Sequence, residues 1–166
     1  QLAQILSEAY LSLFVRQAAA IALKKYVRKR WSIFFDTFTQ DMVVNGIVQT
    51  VDATPVEAKE HIRTSLLACL CDAEPKVRSQ ASDILSLISR CDFPDHFPQL
   101  LPTLQAYLHS YTEQDAHAAY KVHVAMKFLL DLVHVELDEN QLLMVAQQLV
   151  PLLQGIVSSS SDWITP

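Results

Sequence analysis

The sequence predicts an all-α fold, an α-solenoid in which antiparallel helical hairpins stack side by side. Three observations lead to it. Hydrophobic residues make up 51% of the 166 residues but only two are glycine, too few for a fold of tight β-hairpins or phosphate-binding loops. Apolar residues recur at helical spacing along most of the chain, and the pattern repeats within it. The length is sufficient for a substantial core.

The apolar periodicity predicts six or seven helices, and the turn signals between them agree. Pro55 and Pro75 stand where helices should begin, and the Asp92–Pro98 segment marks a turn. The mixed composition of 32–54, which includes Gly46, predicts a long loop or an excursion. The predicted helices cover 2–13 with a break before Val15, 15–31, 55–71, 75–91, 96–110, 115–135 and 139–157.

Internal similarity organises these helices into repeats. A shift of 62 residues superposes the predicted buried positions of 15–31 on those of 75–91, and a shift of 45 carries the latter onto 115–135. The positions in 75–91 are Val77, Ala81, Ile84, Leu85 and Ile88, and those in 115–135 are Val122, Met126, Leu129, Leu130 and Val133. The second value lies within the roughly 40–47 residues of HEAT and armadillo repeats. We therefore predict one right-handed superhelical HEAT array over 1–166. It comprises a first repeat at 1–31, a loop at 32–54, repeats at 55–91 and 96–135, and the start of a fourth at 139–157.

The second helix of each predicted repeat lies at 15–31, 75–91 or 115–135. A projection at about 100° per residue separates the buried and exposed sides of these second helices. The predicted buried stripe of 15–31 contains Val15, Ala19, Ala22, Leu23 and Tyr26. On the third such helix, Val124 and Phe128 fall on the outer side, which predicts either burial on two sides or an apolar contact. Stacked second helices line one concave surface. The polar residues predicted there are Gln17, Lys24, Lys25, Arg28, Ser79, Asp83, Ser86, Arg90 and Asp131.

The charge is segregated along the chain. The net charge is −5, yet six of the 13 basic residues lie between Arg16 and Arg30. An acidic chain disfavours direct nucleic-acid binding, and an Ala-rich stripe fits a packed helix better than a membrane surface. The sequence leaves two interpretations of this basic helix open, a protein-binding surface and a solvated face without a partner. We expect no membrane span, because no suitable apolar run free of charge was identified.

Catalysis and metal binding have little support in the sequence. No glycine-flanked serine or glycine-rich loop occurs, so we predict neither an enzyme nor a cofactor. Cys69 and Cys71 are too closely spaced for the usual zinc motif, and three cysteines in all predict a reducing compartment. Arg16 and Arg78 share a repeat position, which predicts structural roles on turn carbonyls or on Asp72. The Phe-Pro pairs starting at Phe93 and Phe97 predict packing.

Several stretches resemble the amino-terminal HEAT repeats of the importin-β family of nuclear transport receptors, the karyopherins. One is the Val-Arg-Gln helix that ends in basic residues and Trp31, and another is the Phe-Pro turn from Asp92 to Leu100. The connection from Phe35 to Arg63 suggests the importin-9 branch. The stretches are VRQAAAIALKKYVRKRW, KVRSQASDILSLIS, CDFPDHFPQLLPTL, VHVAMKFLLDLV and QLVPLL.

The resemblance implies an amino-terminal fragment of a nuclear import receptor that shuttles between cytoplasm and nucleus through the nuclear pore. Its implied partners are the small GTPase Ran in its GTP form, basic cargo such as core histone dimers, and phenylalanine-glycine nucleoporins. A HEAT scaffold unrelated to transport is the alternative. The Ran-binding residues implied by position are Gln17, Lys24, Lys25, Arg28, Asp83, Ser86, Arg90, Lys127 and Asp131.

Overall fold

A computed structural model of the chain describes residues 1–32, 41–44, 47–50, 54–110, 116–134 and 137–160. It confirms the predicted all-α class, with a small β-hairpin in addition. In chain order the elements are α1 (Leu2–Ser7), α2 (Leu13–Arg30), β1 (Asp41–Val44), β2 (Ile47–Thr50), α3 (Val56–Cys69), α4 (Pro75–Asp92), α5 (Leu100–His109), α6 (Ala116–Val133) and α7 (Glu139–Ser160).

The first helix is shorter than predicted, and the break is longer. Helix α1 ends at Ser7, because Glu8 adopts an extended conformation, and five residues separate it from the start of α2 at Leu13. Ser12 caps α2, since its hydroxyl oxygen accepts a hydrogen bond from the main-chain nitrogen of Val15 at 3.5 Å. A serine at this position satisfies one of the unpaired amides of the first turn. The cap thus defines the start of the basic helix.

The stretch predicted as a loop contains an antiparallel strand pair. In this pair Asp41 lies opposite Thr50 and Val44 lies opposite Ile47. The signal was present in the sequence, because Asn45-Gly46 stands between two runs rich in β-branched residues, the usual signature of a hairpin. The rest of the predicted loop at 33–40, 45–46 and 51–53 lies outside the described residues.

The chain divides into two compact units, 1–91 and 92–166, which are described separately. In the first unit α1 packs on α2 and α3, and in the second α5 packs on both α6 and α7. Each has its own apolar core. The largest fully buried side chains are Leu6, Leu23, Trp31, Leu66, Leu70, Ile84, Leu85 and Ile88 in the first unit, and Phe97, Leu100, Leu104 and Phe128 in the second. The single array over 1–166 stays a prediction.

The buried sides of the second helices were predicted correctly for only one of the three. All five predicted positions of α4, from Val77 to Ile88, are fully buried. On α2, Ala19 and Leu23 are buried as predicted, but Val15, Ala22 and Tyr26 are exposed. The buried side of α2 consists of Arg16, Ala19, Ala20, Leu23 and Val27.

The predicted face of α6 is wrong. Its buried residues include Phe128, whereas Met126, Leu130 and Val133 of the predicted stripe are exposed. A shift of 44 residues, one fewer than predicted, makes the burial agree at three of the five positions. It pairs Ala81, Ile84 and Ile88 of α4 with Ala125, Phe128 and Leu132 of α6, all of them fully buried.

Helix α7 begins with a reciprocal cap. The Asp138 carboxylate accepts from the main-chain nitrogen of Gln141 at 2.8 Å, and the Gln141 side-chain oxygen accepts from that of Asp138 at 3.0 Å. The Gln141 amide also donates to the main-chain oxygen of Phe93, which joins the helix to the Phe-Pro turn. Phe93 and Phe97 are buried, as their predicted packing role requires.

One stretch of α7 has the length and composition of a membrane span. Among the described residues it runs over Glu139–Ser158, with a mean hydropathy of 1.3. The expectation that no such stretch occurs is therefore wrong for this helix. A single helix of this kind is weak evidence for membrane insertion, because helices of soluble proteins meet the same criterion.

Candidate partner-binding surface

The last two turns of α2 carry a dense group of basic side chains. Cations at a helix carboxyl end are stabilised by the helix dipole, so the sequence places them where the local structure tolerates them. Lys25, Arg28 and Lys29 are exposed to solvent, and Lys24 and Arg30 are half-buried. Gln17, also predicted for this surface, is half-buried. This end of α2 presents positive charge to solvent.

An ion pair links this basic group to the next second helix. The Lys24 ammonium lies 2.9 Å from a carboxylate oxygen of Asp83 on α4. The two side chains retain 35% and 47% of their accessible surface, respectively. Both residues were predicted to share one surface, and the structure brings them together. Arg90, in the last turn of α4, is exposed, as that surface requires.

Ser86 does not lie on this surface, contrary to prediction. Its side chain is buried, with 1% exposure for the residue, and its hydroxyl donates to the main-chain oxygen of Ser82 at 2.8 Å. A serine can turn its hydroxyl onto the preceding helical turn and so be buried without an unsatisfied polar group. Ser86 is therefore removed from the candidate site.

The two candidates on α6 form their own ion pair. The Lys127 ammonium lies 2.7 Å from a carboxylate oxygen of Asp131, one helical turn further along. Such pairs contribute a few tenths of a kcal/mol, about 0.3–0.5, to helix stability. Both residues belong to the second unit. Their participation in one surface with the residues of α2 and α4 stays a prediction.

A buried arginine near the start of α2 joins three segments of the first unit. The Arg16 Nε donates to the main-chain oxygen of Leu6 at 2.8 Å, and its two terminal nitrogens both bind the carboxylate of Asp72. From the other side, Arg78 Nη1 donates to the main-chain oxygens of Asp72 and Ala73 at 2.7 and 2.8 Å. The predicted structural roles of both arginines are confirmed.

The sequence did not predict the contacts that Thr54 and Lys59, beyond the long connection, make with the end of α2. The main-chain nitrogen and hydroxyl of Thr54 both donate to the main-chain oxygen of Arg30, at 3.0 and 2.9 Å. The ammonium of Lys59 lies 5.1 Å from the ring centre of the buried Trp31, within cation–π range. These contacts fix the carboxyl end of the basic helix. No local sequence pattern signals them, because they join residues far apart in the chain.

Cys69 is not a reactive thiol. Its pKa is raised from 9.0 to about 11, mainly by burial and secondly by the Asp72 carboxylate, while the Arg16 charge acts in the opposite direction. A thiol with such a pKa stays protonated at neutral pH, so it is a poor nucleophile and metal ligand. Throughout the described parts of the chain, no group of three or more His, Cys, Asp or Glu residues is arranged to hold a metal ion.

The comparisons with known proteins support the family resemblance. Residues 1–72 match the family model of the importin-beta N-terminal domain. Importin subunit beta-5 of Schizosaccharomyces pombe is 28% identical over 88% of this chain, and the protein of that name from Saccharomyces cerevisiae is 34% identical over 56%. Exportin-2 of Drosophila melanogaster is 26% identical over 60%.

The predicted resemblance to the importin-β family is thereby confirmed, whereas the likeness to the importin-9 branch is not. This chain covers only 13%, 8% and 9% of those three relatives, respectively. Two of these relatives are named as importin subunits and one as an exportin, so the comparisons do not choose a direction of transport.

Proposed function

We propose that this chain is the amino-terminal, Ran-binding part of a nuclear transport receptor. The observation that carries the proposal is the position of the exposed cations of α2. They lie inside the 1–72 segment that matches the importin-β family model. Asp83 of α4 pairs with Lys24 of α2. In this proposal Ran in its GTP form contacts exposed and half-buried polar residues of the second helices. Those residues are Gln17, Lys24, Lys25, Arg28, Asp83, Arg90, Lys127 and Asp131.

The electrostatics of the surface support a protein partner. Charges at the edge of an interface accelerate encounter with a partner of opposite potential and suppress wrong partners. The basic end of α2 lies beside the carboxylate of Asp83, so binding depends on how a partner's charges are arranged and not only on their sum. Direct nucleic-acid binding is not part of the proposal, because the chain as a whole carries a net charge of −5.

The proposal extends to cargo and location. The receptor carries basic protein cargo, such as core histone dimers, between cytoplasm and nucleus, and it meets phenylalanine-glycine nucleoporins at the pore. The acidic balance of the chain, with an isoelectric point near 5.6, supports a basic cargo. The similarity to importin subunits and an exportin favours this function over a scaffold unrelated to transport.

A calorimetric titration of the chain with Ran loaded with a GTP analogue or with GDP tests the proposal. We expect selective binding of the GTP form, and Arg28→Glu should weaken it by about tenfold, because the substitution reverses an exposed charge at the site. Lys76→Glu is the matched control, since Lys76 is exposed in the first turn of α4. Equal binding of both nucleotide states would contradict a GTP-dependent function. Absence of binding by a helical, folded chain would contradict the Ran site itself.

A further inference from the structure

Lys24, one of the cations of the proposed surface, already forms an ion pair with a carboxylate of the same chain. Lys24 lies on α2 and Asp83 on α4, 59 positions apart in sequence, and their charged groups meet at 2.9 Å. An acidic side chain from a partner would approach Lys24 in the same way. The Lys24 ammonium therefore binds a carboxylate in this position, and Asp83 occupies the position that a partner's carboxylate would take.

We propose that Asp83 is a built-in competitor for an acidic protein partner, which must displace it from Lys24 in order to bind. This deepens the proposed function and rests on it as far as the partner is Ran. The chemistry of the exchange, one carboxylate for another on the Lys24 ammonium, does not depend on the identity of the partner.

A contrast with the ion pair between Arg16 of α2 and Asp72 after α3 supports an exchangeable role for the Lys24–Asp83 pair. The side chains of Arg16 and Asp72 are only 3% and 11% exposed, whereas those of Lys24 and Asp83 are 35% and 47% exposed. Exposed pairs contribute little to stability and are screened by salt. The buried pair serves to hold the fold, and the exposed pair can open without disturbing it.

The chemistry of lysine fits an exchange. Its ammonium is a compact charge with three donors on a flexible stem, unlike the planar fork of arginine, so it can turn from one carboxylate to another. Arg28 lies one helical turn beyond Lys24 on α2 and is exposed. Residues four apart share a helix face, so a partner's acidic group that reaches Lys24 also enters the field of Arg28. Displacement of Asp83 thus makes the Lys24 ammonium available to the partner's acidic group.

The test measures the binding of two probes by the wild-type chain and by Asp83→Asn, Lys24→Gln and the double variant. One probe is a synthetic oligoglutamate peptide, and the other is Ran loaded with a GTP analogue. Glu60→Gln is the charge-matched control, because Glu60 is exposed on α3 and the change in net charge is the same. Circular dichroism verifies that each variant is folded.

We expect Asp83→Asn to bind both probes roughly twofold to fivefold more tightly, the range that corresponds to the strength of an exposed ion pair. Glu60→Gln should have a smaller effect. Lys24→Gln should weaken binding, and Asp83→Asn should add nothing in its presence, because the competitor acts only through Lys24. Higher salt should reduce the gain.

Several outcomes would overturn the inference. Weaker binding by Asp83→Asn would mean that Asp83 holds Lys24 in its binding position. An equal gain in Glu60→Gln, or a gain that persists without Lys24, would reduce the effect to net charge, and absence of binding to both probes would remove the site. If the Asp83→Asn gain appears with oligoglutamate and no form binds Ran, the competitor stands and the proposed function fails.

Discussion

Arg16 and Asp72 are joined across 56 positions of sequence by two hydrogen bonds, in a region that the apolar core almost closes from solvent. Arg16 lies near the start of α2, and Asp72 lies in the turn that follows α3. In the same turn, the main-chain oxygens of Asp72 and Ala73 accept hydrogen bonds from Arg78 of α4. One turn thus binds the two arginines that share a repeat position, and it links α2 to α4.

Replacement of Arg16 by methionine should destabilise the chain strongly. The substitution leaves the carboxylate of Asp72 nearly buried without its cation, which costs about 3–5 kcal/mol. The double variant Arg16→Met/Asp72→Asn should lose clearly less, because no uncompensated charge remains. The free energy of unfolding, measured by urea titration with circular dichroism, tests both. A loss below about 1 kcal/mol in the single variant would contradict a structural role for this pair.

The two sides of α6 should respond in opposite ways to truncation. Phe128→Ala removes a fully buried ring and should cost about 3–5 kcal/mol, whereas Leu130→Ala, at a residue 55% exposed, should change stability by less than about 1 kcal/mol. The same urea titrations measure both. A larger loss for Leu130→Ala than for Phe128→Ala would restore the buried face that the sequence pattern predicts.

The stability of the chain should fall as the pH rises above 9. The pKa of Cys69 is about 11 in the folded chain and 9.0 ordinarily, mainly because burial disfavours the thiolate. Below pH 9 the thiol is protonated in both states and contributes no pH dependence. Between about 9 and 11 the unfolded chain releases this proton while the folded chain retains it, so unfolding becomes easier.

Cys69→Ala provides the comparison, because it removes the titrating group. The free energy of unfolding of this variant should decline less steeply between about pH 9 and pH 11 than that of the wild type, the window set by the two pKa values. Alkylation by iodoacetamide gives a second readout, in which Cys69 should react more slowly than the half-buried Cys71 and Cys91. Identical slopes in both proteins would contradict the raised pKa.

The fold class and the helix positions could be predicted because helical periodicity is a local property. The buried face of α4 could be predicted because polar and apolar residues fall on separate faces of the helix PKVRSQASDILSLISRCD. Helix α6 is apolar on several sides, as in AHAAYKVHVAMKFLLDLV, so its periodicity does not select one face. A register error of one residue turns the predicted face by about 100°.

The candidate site was predictable only in part, for reasons of chemistry and distance. Exposed lysines and arginines on α2 could be assigned because such charges avoid burial unless they are paired. The burial of Ser86 could not, because a hydroxyl can satisfy itself on its own helix. Nor could the pairing of Lys24 with Asp83, since a shared face does not determine which residues of two separate helices meet.

The turn at Asp72 also bears on where the chain can be divided. The match to the importin-beta N-terminal domain ends at residue 72, before α4 supplies Arg78 to the turn and Asp83 to Lys24. Residues 1–72 hold eight of the 13 basic residues but only seven of the 18 acidic ones, so the surplus of negative charge lies entirely in the remainder. A segment cut at that boundary would carry a net charge of +1 and would lack both Arg78 and the carboxylate that pairs with Lys24. A division that keeps these contacts therefore lies beyond α4 rather than at residue 72.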